Sequence, residues 1–84
     1  MVTRDFSGED LVKVLGNKGN FWIDRVPGDH VVMKWEHPDG PEVERRTVSI
    51  PLHDRVRIGT LRSIAEDVGA KDFDEFCRWI DRNR

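Results

Sequence analysis

The stretch Pro27-Gly28-Asp29-His30-Val31-Val32-Met33-Lys34-Trp35-Glu36-His37-Pro38-Asp39-Gly40-Pro41 reads as one strand held between two turns. Pro27 presets φ and Gly28 permits positive φ, so the chain reverses just before His30. His37 to Pro41 carries the same punctuation. Between the turns, Val31, Met33 and Trp35 point one way, and His30, Val32, Lys34 and Glu36 point the other. A strand entered and left through tight turns pairs with its neighbours in sequence, so the stretch implies a three-stranded antiparallel meander.

The flanking segments supply the partners. Asn20 to Val26 places Phe21 and Ile23 on one face, with Trp22 and Asp24 on the other. Glu44 to Leu52 places Val48, Ile50 and Leu52 inward, with Arg45, Thr47 and Ser49 outward; Arg46 points inward at the strand's start. Pro51 lacks a backbone donor and belongs at a strand end or on an edge.

Helices lie outside the meander. Ser7 is an N-cap, Asp10 its capping-box partner, and Phe6 and Leu11 the hydrophobic staple. Leu11, Val14 and Leu15 recur at helical spacing, Val12 widens the face, and Gly16 and Gly19 supply a stop, giving a helix over about residues 8–18. Thr60 caps a second helix through Val68, with Leu61, Ile64, Ala65 and Val68 as its apolar face and Gly69 at its end. Asp72 caps a third, with Glu75 completing a capping-box pattern; Phe73, Phe76, Cys77 and Ile80 follow at i, i+3, i+4 and i+7 and read as core.

The result is an α+β fold of order α-β-β-β-α with an extra short C-terminal helix, in one domain over residues 1–84. Helices cover one face of the sheet. The open face carries Trp22, Asp24, His30, Val32, Lys34, Arg45, Thr47 and Ser49.

Composition narrows the function. A charged fraction of 36% without a long single-sign run describes a folded, solvated surface. One cysteine, Cys77, excludes an intrachain disulfide and a four-cysteine zinc site. The apolar runs are too short to span a membrane, and Met1 to Asp10 lacks the apolar stretch of a signal peptide, so the expectation is a cytoplasmic protein. The net charge is −2, but Arg45 to Arg62 holds five arginines against one acid, Asp54, whereas Ser63 to Arg84 holds four basic residues against six acids. A local basic segment attracts phosphate even on a slightly acidic chain; a solvated strand edge explains it equally well.

His30, His37 and His53 fall on different strand ends or turns and form no metal-ligand spacing. No phosphate-binding glycine loop and no nucleophile elbow is present. His30 differs from the other two. It follows a tight turn and starts a strand on the open face, which suits a general acid or base held by a rigid element. The plainer alternative is that it terminates a hairpin turn.

Four segments resemble the HicA (YcfA-like) toxin family. They are Ser7-Gly8-Glu9-Asp10-Leu11-Val12-Lys13-Val14-Leu15; Arg25 to His30 with the strand to Gly40; Val48-Ser49-Ile50-Pro51-Leu52-His53; and Ile58-Gly59-Thr60-Leu61-Arg62-Ser63-Ile64. Together they span roughly residues 6–76. The resemblance implies a double-stranded-RNA-binding-like fold and an mRNA interferase, an endoribonuclease neutralised by a HicB-type antitoxin. The family's Gly-Ser-His motif falls on Gly28-Asp29-His30, so His30 inherits the catalytic role. This chain departs from the pattern at Asp29, where the family has serine, at Ile58, where it usually has proline, and in its slightly acidic balance. A carboxylate at position 29 attracts an imidazolium and repels a scissile phosphate.

The reading that follows is metal-independent cleavage of RNA without a cofactor, the 2′-hydroxyl serving as nucleophile. His30 moves the proton. Gly28, Asp29, Arg45, Arg55 and Arg57 contact RNA, with Lys34 beside His30 on the open face, and Trp22 stacks a base or covers the sheet edge. The competing readings are a non-catalytic RNA-binding module of the same fold and a domain that only binds a protein partner.

Overall fold

The computed structural model describes residues 1–84. Its elements run α1 (Gly8–Lys18), β1 (Trp22–Arg25), β2 (His30–Glu36), β3 (Arg45–Pro51), α2 (Ile58–Asp67) and α3 (Phe73–Asn83). The sheet order is β1-β2-β3, antiparallel throughout. This is the α+β meander with a C-terminal helix that the turns and alternation imply. No helix is long and apolar enough to cross a membrane.

The core forms where the helices meet one sheet face. Val31 and Met33 of β2 and Val48 and Ile50 of β3 pack with Leu11, Val14 and Leu15 of α1, Leu61 and Ile64 of α2, and Phe76, Cys77 and Ile80 of α3. Ser7 caps α1 in a complete capping box with Asp10, over the buried pair Phe6 and Leu11. Burial raises the Cys77 thiol above its ordinary value.

Several details depart from the sequence reading. Helix α2 begins at Ile58, with Arg57 at the N-cap and no side-chain cap, so Thr60 lies in the first turn rather than at the cap. Asp72 accepts the Glu75 amide, but Glu75 pairs with Arg78 instead of returning the capping-box bond. Helix α1 ends with Gly19 in right-handed geometry, and Asn20 takes the positive φ of 61°. Glycine is needed at 19 for proximity, since an added methyl would lie 3.3 Å from the Trp79 ring and 2.8 Å from the Leu15 carbonyl oxygen. Phe73 is half-buried beneath the Arg62 guanidinium, 4.3 Å from the ring centroid. That contact ties Arg62 to the helix layer.

The strands show three more departures. Ile23 aligns with Met33 but is exposed, because β1 is a four-residue edge. Val32 is buried although it lies on the open side; in the central strand it is flanked by Arg25 and Ser49, and a bulge between Ile23 and Arg25 brings Arg25 opposite it. Leu52 is exposed, because β3 ends at Pro51 and the Leu52 amide turns to the Asp29 carbonyl at 2.7 Å.

Candidate active site

The β1–β2 turn builds the site. Gly28 adopts φ +64°, and the His30 amide closes the turn on the Pro27 carbonyl. The next residue pair, Asp29 and His30, thereby stands at the start of the central strand with both side chains exposed. Asp29 Oδ1 lies 3.0 Å from His30 Nδ1. A carboxylate at that distance orients the imidazole and leaves Nε2 free to exchange a proton.

The end of β3 supplies the opposite wall. His30 pairs in register with Pro51. The antiparallel course continues past Pro51, with the Leu52 amide bonded to the Asp29 carbonyl, and brings His53 alongside the turn. His53 Nε2 lies 3.7 Å from Asp29 Oδ2. One carboxylate therefore stands between two imidazoles. The backbone at His53 is held from behind: its carbonyl accepts the Gly8 amide at 2.9 Å, and the Val56 amide donates to the Phe6 carbonyl at 2.9 Å.

Helix α2 closes the group. Arg57, at its N-cap, and Thr60, in its first turn, join His30, Ser49, Pro51 and His53 around an open pocket of ≈ 320 Å³. The unsatisfied amides at the start of a helix favour negative charge, and no side chain caps this one. The arrangement thus offers two imidazoles, a guanidinium and a helix start around a space open to solvent. Those are groups that can bind a phosphodiester and shuttle its protons.

The sequence candidates do not all converge here. His30 and Arg57 line the pocket, with Asp29 against both imidazoles and Gly28 shaping the turn behind them. Lys34 is on the open face but four residues along β2 from His30, about 13 Å at strand rise, so it is not beside the imidazole. Its ammonium instead lies 3.8 Å from Asp24. Trp22 aligns with Lys34 and shares that distant end. Arg45 pairs in register with Glu36 at the far end of β3. Arg55 turns to Asp5 at 3.3 Å and lines a separate groove with Arg4, Val56, Arg57 and Ile58. His37 is occupied in the β2–β3 turn, where Nδ1 accepts the Asp39 amide.

Sequence reasoning placed none of His53, Ser49 and Thr60 in the site. The signal for His53 was the pairing itself. Once Pro51 is opposite His30, residues just after β3 must lie beside residues just before β2.

A model of the HicA toxin of bacterial toxin–antitoxin systems matches residues 8–70. No curated protein and no solved structure matches the chain. The matched span runs from the first residue of α1 past the end of α2 and includes every residue that lines the pocket. The chain belongs to the HicA toxin family of bacterial toxin–antitoxin systems.

Proposed function

We propose that this toxin is an endoribonuclease that cuts mRNA in the cytoplasm through His30 and is silenced by a HicB-type antitoxin. The observation that carries the reading is His30 itself: an exposed imidazole, fixed at a strand start, 3.0 Å from a carboxylate and sharing a pocket with Arg57. RNA brings its own nucleophile, the 2′-hydroxyl, so proton transfer and charge neutralisation are what the protein must add. His30 Nε2 is free to take the proton, and Arg57 is placed to meet charge growing on the phosphate. This chemistry calls for no metal.

The test is cleavage of RNA by purified protein in EDTA, wild type against His30→Ala. A positioned acid–base group contributes about 10²–10⁴-fold, so His30→Ala loses activity on that scale while keeping its circular dichroism spectrum. A folded His30→Ala protein with undiminished cleavage would remove His30 from the mechanism.

Asp29 favours a second reading, a non-catalytic RNA-binding module. Its carboxylate is exposed beside the imidazole and repels the phosphate that a nuclease must seat. RNA bound by wild type but left uncut in the same assay would select the module.

A further inference from the structure

The pocket holds a second imidazole that the His30 reading does not use. His53 reaches the site from the loop after β3, on the far side of Asp29 from His30. We propose that His53 is the second acid–base group of the reaction, protonating the leaving oxygen while His30 accepts the proton of the 2′-hydroxyl. The proposal rests on the RNA-cleavage reading and deepens it.

Transesterification of RNA needs two proton transfers at opposite ends of one phosphorus. The 2′-oxygen attacks, the O2′–P bond forms, and its proton must leave. The P–O5′ bond breaks, and the departing 5′-oxygen must gain a proton. The products are a 2′,3′-cyclic phosphate and a 5′-hydroxyl, and no oxidant or co-reactant is consumed. One histidine can serve both ends only if it moves between them; two histidines can act together.

The geometry assigns the two parts. His30 Nδ1 lies 3.0 Å from Asp29 Oδ1, and a Nδ1–H donated there leaves the Nε2 lone pair available as base. His53 Nε2 lies 3.7 Å from the other oxygen of the same carboxylate. That leaves His53, across the carboxylate, as the second proton carrier bordering the pocket. Both rings border the pocket that Arg57 also lines, so a phosphate seated beside the guanidinium shares that pocket with both. The charged and titratable groups around this space are Asp29 from the β1–β2 turn, His30 from β2, His53 from the loop after β3, and Arg57 from the N-cap of α2.

His53 is more than half exposed, with a side-chain exposure of 56%, and its only neighbour within ion-pair distance is Asp29. It contributes nothing to the core. Its side chain is therefore dispensable for folding, whereas its backbone carbonyl, which Gly8 holds, survives any substitution.

The experiment compares wild type, His53→Ala, His53→Asn and His30→Ala on two RNA substrates. One carries the ordinary 5′-oxygen at the scissile bond; the other carries sulfur there. A thiolate leaves without protonation, so the sulfur substrate needs a base but no acid. On the oxygen substrate both His53 variants lose about 10²–10⁴-fold. On the sulfur substrate they return close to the wild-type rate, while His30→Ala stays slow on both. Equal losses on both substrates would make His53 a structural residue and overturn the proposal. Undiminished cleavage of the oxygen substrate by His53→Ala would overturn it as well, leaving the His30 reading standing. Wild-type protein that cuts neither substrate would overturn both.

Discussion

The Gly8 amide donates a 2.9 Å hydrogen bond to the carbonyl of His53. The first residue of α1 thus holds the loop that carries one wall of the pocket. The contact is possible only because position 8 has no side chain: a methyl there would overlap the Pro51 carbonyl oxygen and stand 2.9 Å from Leu52 Cα.

Gly8→Ala tests that close approach. In an exposed helix interior, alanine stabilises relative to glycine by roughly 0.5–1 kcal/mol. Here the obstruction is backbone on the facing segment, which cannot rotate away. Overpacking of this kind costs about 1–3 kcal/mol, and each kcal/mol moves the Tm of a domain this size by roughly 4–8 °C. A thermal melt of Gly8→Ala is expected to fall by at least that step. An unchanged or higher Tm would show that α1 can withdraw from β3 freely.

Arg57 and Arg45 stand at opposite ends of the sheet, and their substitution is expected to have different effects. Arg57 lines the histidine pocket, and Arg45 stands opposite Glu36 at the other end of the sheet. Arg57→Ala is expected to lower kcat, by about 10²–10³ if the guanidinium acts as a donor to developing charge. Arg45→Ala is expected to leave kcat alone and weaken RNA binding, lowering the salt slope by roughly 0.7 for a single-stranded contact. Single-turnover cleavage and binding at several salt concentrations separate the two. A kcat loss in Arg45→Ala equal to that of Arg57→Ala would contradict that difference.

Cys77 lies buried between α3 and the rest of the core. Burial, the largest influence, raises its thiol above the ordinary 9.0. The folded protein therefore keeps its proton at alkaline pH where the unfolded chain releases it, and stability falls as pH rises through the unfolded value. Native protein at pH 8 is expected to resist thiol-modifying reagents and to react once denatured. Modification at the same rate with and without denaturant would show that the core opens readily between α3 and its neighbours.

Much of the fold was legible because it rests on local rules. The turn residues at Pro27-Gly28 and Pro38 to Pro41 set the hairpins, and Ser7 with Asp10 placed the start of α1 within its actual boundary. What escaped was set by tertiary contacts. Val32 is buried by its place in the central strand, which alternation cannot express, and the bulge in β1 has no signature of its own. Thr60 is a good capping residue, yet α2 starts three residues earlier, with Arg57 at the cap, because packing decided its boundary. The candidate site divided in the same way. His30 was visible as an exposed strand start, while His53 joined it only through the register of β2 and β3, and Lys34 left it because strand distance, not shared face, decides contact.

The bulge in β1 has a further consequence for the molecule in solution. An open three-stranded sheet ends in edges whose unpaired amides and carbonyls invite another chain. On β1 that invitation would be strong, since Trp22, Ile23 and nearby Val26 are all exposed. The irregularity at Asp24 interrupts the run and sets an Asp24–Arg25 ion pair within it, so no long flat template remains. At this edge, the single extra residue disfavours addition of a further strand.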